Sequence, residues 1–104
     1  MEAGGDSNWT ALHFAAWDGK EAVAAQLLQA GASVSAVDND YDSTPLHIAA
    51  YYGNSSIANV LLQANASPTA VNKNGRTTAQ CAKQQAHGDL AASLLEAEQA
   101  AALK

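Results

Sequence analysis

Seven letters recur at a near-constant interval along this chain, and that recurrence limits the fold more than any other feature. Thr44-Pro45-Leu46-His47-Ile48-Ala49-Ala50 stands 34 positions after Thr10-Ala11-Leu12-His13-Phe14-Ala15-Ala16 and 33 before the weaker echo Thr77-Thr78-Ala79-Gln80-Cys81-Ala82-Lys83. Self-similarity at such a period marks stacked supersecondary units, each too one-sided to bury its own apolar face.

The letters around each copy predict a helix–turn–helix. Thr10 caps a helix that reaches Asp18, and Gly19 stops it. A second helix spans 21–30, with Val23, Ala24, Leu27 and Leu28 as its buried stripe, and Gly31 ends it. Residues 32–43 form an extended, hairpin-like finger with Val34 and Val37 as inward anchors and Asn39-Asp40 as its turn. The second copy repeats the plan. Thr44 caps, Pro45 takes the first helical position where its missing N–H is harmless, and Gly53 stops the helix. Ile57, Ala58, Leu61 and Leu62 follow at the same offsets, and Asn65 replaces Gly31 as the next-best left-handed residue. The second finger ends in Lys73-Asn74-Gly75, whereas the first is one residue longer and has no glycine. In the third copy the helix breaker, Gly88, comes two places late. The second helix there keeps Leu90, Ala91, Leu94 and Leu95, then runs on through alanine-rich sequence, as a wettable terminal unit should.

These positions together resemble the ankyrin repeat over about residues 9–98. The resemblance implies an all-α fold, an α-solenoid of stacked helix–turn–helix repeats joined by β-hairpin-like finger loops. The expected divisions are an N-terminal loop at 1–8, one repeat at 9–42, a second at 43–75, and a C-terminal capping repeat at 76–104. It also implies that His13 and His47, with the threonines three residues before them, tie adjacent units by hydrogen bonds. Ser35 and Thr69 stand where many such repeats carry a hydroxylatable Asn, so that modification is not expected.

Composition narrows the function. Ten Asp and Glu against five Lys and Arg argue against nucleic acid or an anionic membrane as partner. The charge is uneven: residues 1–60 carry one base and seven acids, and residues 61–104 carry four bases and three acids. Cys81 is the single cysteine, which excludes an internal disulfide. With no secretory signal or spanning apolar run in the letters, a cytoplasmic or nuclear setting is expected. Three matches to the N-glycosylation pattern, at Asn8, Asn54 and Asn65, are then taken as coincidental.

No catalytic constellation, metal site or cofactor motif is legible, and an enzyme is not expected. Two histidines 34 residues apart do not match zinc spacing. Asp38, Asp40 and Asp42 alternate as in a calcium loop but lack its glycine and its terminal Glu, so they are expected to form a solvated turn. Cys81 matches Phe14 and Ile48 and is expected to be a core thiol; His87 is expected to be solvated in the inter-helix turn.

The candidate site is a surface. In this family the two positions after the Ala-Ala pair end the first helix on the concave face, which here places Trp17, Asp18, Tyr51, Tyr52, Gln84 and Gln85 on it. Trp9, Ser43 and Arg76 stand at the finger bases, and Asp40, Tyr41, Asp42, Lys73 and Asn74 at the tips. Five of the six aromatics thus fall on one concave surface, with Phe14 alone assigned to the core. Trp17 and Tyr52 either belong to that patch or pack laterally between units. Aromatics in a contiguous patch are the usual anchors of a protein interface. The expected function is binding another protein, one with a basic patch facing the acidic first finger, by a monomer or a weakly self-associating chain. The alternative is a structural array that stacks through an uncapped first unit around Leu12, Phe14 and Val23.

Overall fold

A computed structural model of the chain describes residues 9–39 and 41–102. The expected N-terminal loop at 1–8 and the last two residues lie outside the described residues. Six helices are present among those described: α1 (Ala11–Asp18), α2 (Glu21–Gln29), α3 (Pro45–Tyr52), α4 (Ser55–Gln63), α5 (Thr78–Gln84) and α6 (Gly88–Ala102). They form three antiparallel pairs. The inner helices α1, α3 and α5 pack in sequence, and α2 packs on α4 behind them. None of the helices is long and apolar enough to cross a membrane.

The threonines start the inner helices as expected. Each Thr side chain accepts from the backbone N–H three residues on, and that residue's side chain accepts from the Thr N–H in return. In the first two units the reciprocating group is His Nδ1, at 3.1 Å from the Thr10 nitrogen and 3.2 Å from that of Thr44. A backbone N–H can only donate, so Nδ1 is the acceptor and the imidazole proton sits on Nε2. His13 Nε2 then donates to the Ser43 carbonyl at 2.8 Å, and His47 Nε2 to the Arg76 carbonyl at 3.1 Å. Each histidine therefore caps its own helix and holds the finger of the next unit. Burial lowers the pKa of both, against the opposing pull of those carbonyls and of Asp38. In the third unit Gln80 Oε1 accepts from the Thr77 N–H at 2.9 Å, and no fourth finger follows among the described residues.

Small residues let the inner helices approach. Ala15, Ala16, Ala49, Ala50 and Ala82 are all buried, and Leu12, Leu46, Ile57, Leu61 and Leu94 fill the layer behind them. Asn65 takes the left-handed conformation expected of it, at φ 71°.

Several expectations are corrected. Val23 is 44 % exposed, whereas Ile57 and Leu90 at the same offset are buried. Phe14 is 38 % exposed, whereas its counterparts Ile48 and Cys81 are each 5 % exposed. The cause is the same for both: a preceding helix pair lies against the later units, and no such pair lies against the first among the described residues. Val37 does not anchor the first finger, since its side chain is exposed, and Val34 is half-buried. Asp38 is not solvated but buried. Its Oδ1 accepts from the N–H groups of Tyr41 and Ser43 at 2.9 and 3.1 Å, closing the finger from inside. Asn72 closes the second finger likewise, accepting from Asn74 and Arg76 at 2.9 and 3.1 Å. Asp42, at φ 51°, occupies the left-handed place that Gly75 holds in the second finger.

Gly88 does not break the third pair; it begins α6. The left-handed residue is Ala86, at φ 64°. It falls nine residues after its capping threonine, as do Gly19 and Gly53. The following N–H of Lys20, Asn54 or His87 returns in each case to the carbonyl of Ala15, Ala49 or Ala82. That bond fixes the turn whatever residue occupies it, and alanine there bears about 1 to 2 kcal/mol of steric strain.

Candidate functional site

The inner-helix ends and the two fingers enclose a concave surface. Aromatic side chains cluster in the first unit and again in the second. Trp9 meets Phe14 edge-on at 5.1 Å and Trp17 at 6.4 Å, and lies over the His13 ring at 5.9 Å. Tyr51 and Tyr52 meet edge-on at 5.0 Å. Burial, then the neighbouring Tyr51, raise the Tyr52 phenol pKa, with Trp17 as the opposing influence.

The expected contact residues divide by exposure. Trp17, Tyr41 and Tyr51 are between 39 and 46 % exposed, a large area for aromatic side chains. Tyr52 is half-buried against the core, which gives it the lateral packing left open by the letters. Trp9 is also packed on the core, and its Nε1 donates to Asp38 Oδ2 at 3.0 Å. Ser43 is buried, with its carbonyl occupied by His13. Trp9 and Ser43 thus support the first finger from within rather than presenting open surface. Asp18, Asp42, Lys73, Asn74, Arg76 and Gln84 are exposed. Asp40 lies outside the described residues.

The finger tips are joined by a backbone bond, Lys73 N–H to the Tyr41 carbonyl at 2.7 Å. Below them is a cavity of about 290 Å³. Tyr41, Ser43, Tyr51, Tyr52, Asn74, Arg76 and Gln84 of the expected set line it. Trp9, Trp17, Asp18, Asp42 and Lys73 do not. Gln85, expected on the concave face beside Gln84, lines it as well, and four further lining residues were not expected: His47, Ile48, Asn72 and Cys81. Ile48 and Cys81 share one repeat offset, so a cavity wall at one marks the other. Asn72 stands in register with Asp38 counted from the left-handed residues Asn65 and Gly31 that end the outer helices. Burial pushes the Cys81 thiol pKa up, against the Arg76 charge, so it is a poor nucleophile at neutral pH.

Two more ties hold this surface in shape. Asn54 Nδ2 donates to the carbonyls of Ala16 and Trp17 at 2.6 and 3.3 Å. His87, expected to be solvated, instead places Nε2 at 3.2 Å from the Tyr51 carbonyl and lays its ring over Gly53. Both side chains sit at the same repeat offset, and each holds the previous unit's inner helix at the end that carries the exposed aromatics. Among the described residues no cluster of three or more His, Cys, Asp or Glu is placed to hold a metal ion.

A family model described as ankyrin repeats, in three copies, matches residues 1–72 and 37–103. No curated protein matches the chain. Repeats of that family are in general protein–protein interaction modules and are typically non-enzymatic.

Proposed function

The chain belongs to the ankyrin-repeat family, and we propose that it serves as a binding module that takes a partner protein on its concave face. The observation that supports this reading most is the set of exposed aromatics. Trp17, Tyr41 and Tyr51 stay well exposed on a surface whose backbone is held by several inter-unit hydrogen bonds. Rigid, half-exposed aromatics offer large contact area at low entropic cost. Asp18 and Asp42 of the first unit meet a basic patch on the partner, and Lys73 and Arg76 on the second finger meet acid. Affinity capture from the native cell tests this. Trp17→Ala with Tyr51→Ala should abolish capture while leaving the melting temperature within a few degrees. Unfolding of both variants would mean that these aromatics belong to the core.

A second reading is favoured by a separate observation. Phe14 and Val23 are exposed where later units bury the same offsets, so the first helix pair presents an apolar end face. Two chains then associate through that face. Size exclusion with light scattering over a concentration range checks it: Val23→Glu should keep the chain monomeric at concentrations where the parent dimerises. A parent that is monomeric throughout contradicts it.

A further inference from the structure

We propose that the cavity beneath the finger tips seats a peptide segment of the partner that carries one large apolar side chain with a carboxylate one or two residues from it. This rests on the concave face being the binding surface and specifies what that surface selects.

The size argues for a side chain. At about 290 Å³ the cavity lies at the small end of the range for sites that enclose a whole cofactor or drug-sized ligand. Tyr41, Tyr51 and Tyr52 with Ile48 and Cys81 give it an apolar part, suited to an apolar group, beside polar lining residues such as Asn72, Arg76 and Gln84.

The charge argues for the carboxylate. Arg76 is the one fully charged residue among the described lining residues, and no carboxylate lines the cavity among them. Its backbone is held on both sides and its guanidinium by one bond. The Arg76 N–H donates to Asn72 Oδ1 at 3.1 Å, its carbonyl accepts from His47 Nε2 at 3.1 Å, and Nη1 donates to Gln84 Oε1 at 2.8 Å. The last bond uses one of five guanidinium donors and orients the plane of the rest. A guanidinium oriented by Gln84, beside an apolar wall and with no carboxylate among the described lining residues, recognises a carboxylate by paired charge-assisted hydrogen bonds. Its charge is felt within the cavity, where it opposes the effect of burial on the Cys81 thiol. The chain as a whole carries a net charge of −5, so acidic peptides are repelled elsewhere and the preference is local to this finger.

The test is a random 12-residue peptide display library panned on the immobilised full chain, with Tyr51→Ala, Arg76→Gln and Arg76→Lys as counter-screens of confirmed melting temperature. The expected peptides pair Phe, Leu, Ile or Met with Asp or Glu within two residues. Synthesised singly, they should lose about tenfold or more in affinity on Arg76→Gln and an intermediate amount on Arg76→Lys. Replacing their acid by the amide should cost as much on the parent chain and nothing further on Arg76→Gln. Peptides that need Tyr51 but show no acid, or that ignore Arg76→Gln, overturn this inference and leave the concave face as the binding surface. Peptides indifferent to Tyr51 and Arg76 alike, or no binders, overturn both.

Discussion

Pro45, His47, Gly53 and Asn54 in the second helix pair stand where the third has Thr78, Gln80, Ala86 and His87, yet both pairs make the same turns. The second unit uses the residue best suited to each place: proline at the helix start, imidazole to reach the next finger, glycine in the left-handed turn. The third satisfies the same backbone groups with substitutes. Gln80 accepts the capping N–H, Ala86 accepts the strain, and His87 reaches back to the Tyr51 carbonyl as Asn54 reaches to that of Ala16. The substitution is incomplete at Thr78, whose buried hydroxyl has no hydrogen-bond partner. Register in this array is therefore set by returning backbone hydrogen bonds and unit contacts. Residue type adjusts only how well each place is filled.

The largest test of that comparison is at the turn glycines. Gly53 and Gly19 share one offset and one conformation, at φ 73° and 74°. A methyl group at Gly53 meets the His87 ring at 2.7 Å, whereas at Gly19 it meets Asn54 at an ordinary 3.5 Å. Gly19→Ala should cost about 1 to 2 kcal/mol in urea melts. Gly53→Ala should cost a further 1 to 3, about what a forced overlap brings, and His87→Ala in the same chain should remove most of that excess. Equal costs at the two glycines would break the account of His87.

Next in size is the inter-unit clasp. His47→Ala leaves the Thr44 N–H and the Arg76 carbonyl without their partner and should cost about 2 to 4 kcal/mol. Gln80→Ala, at an exposed cap, should cost about 1 kcal/mol or less. A smaller gain is expected at the strained turn. Ala86→Gly relieves the left-handed alanine and should stabilise the chain by about 0.5 to 1 kcal/mol, after the glycine's own entropic penalty. Gly53 offers no such gain to any residue, which sharpens the contrast between the two pairs.

The smallest effect is on pH. Burial depresses the pKa of His13 and His47 below the ordinary 6.5, so the folded chain binds fewer protons than the unfolded one. Their contribution to stability is complete above that value and is lost as pH falls through the lowered folded values. Melting temperature should hold level from pH 8 to 7 and decline below about 6.5. In His47→Gln that decline should be shallower, because the amide accepts the Thr44 N–H without titrating.

Much of this fold is legible in the letters because the determinants are local and repeat. The capping threonines, Pro45, Gly19, Gly53 and the left-handed Asn65 each declare themselves within a turn of the chain. What escapes depends on distance. Val23 and Phe14 carry core letters, yet they are exposed because no helix pair lies against the first among the described residues. Asp38 looks like a surface acid or a calcium ligand, but the finger's inward N–H groups and a Trp 29 positions away claim its oxygens. His87 follows Ala86 into the turn only because the returning bond to the Ala82 carbonyl places the break before Gly88. The cavity is the least legible feature, since its walls come from two fingers and two helices. The aromatic patch was readable from family positions, but the inward roles of Trp9 and Ser43 were not.

Hydrogen–deuterium exchange of the full chain, alone and with its captured partner, bears most directly on the claim that the concave face is the binding surface. Amides at 41–43, 51–54 and 72–76 should gain protection on binding, with those of the outer helices α2, α4 and α6 unchanged. Protection confined to the outer helices, or to the end face around Phe14 and Val23, would contradict it.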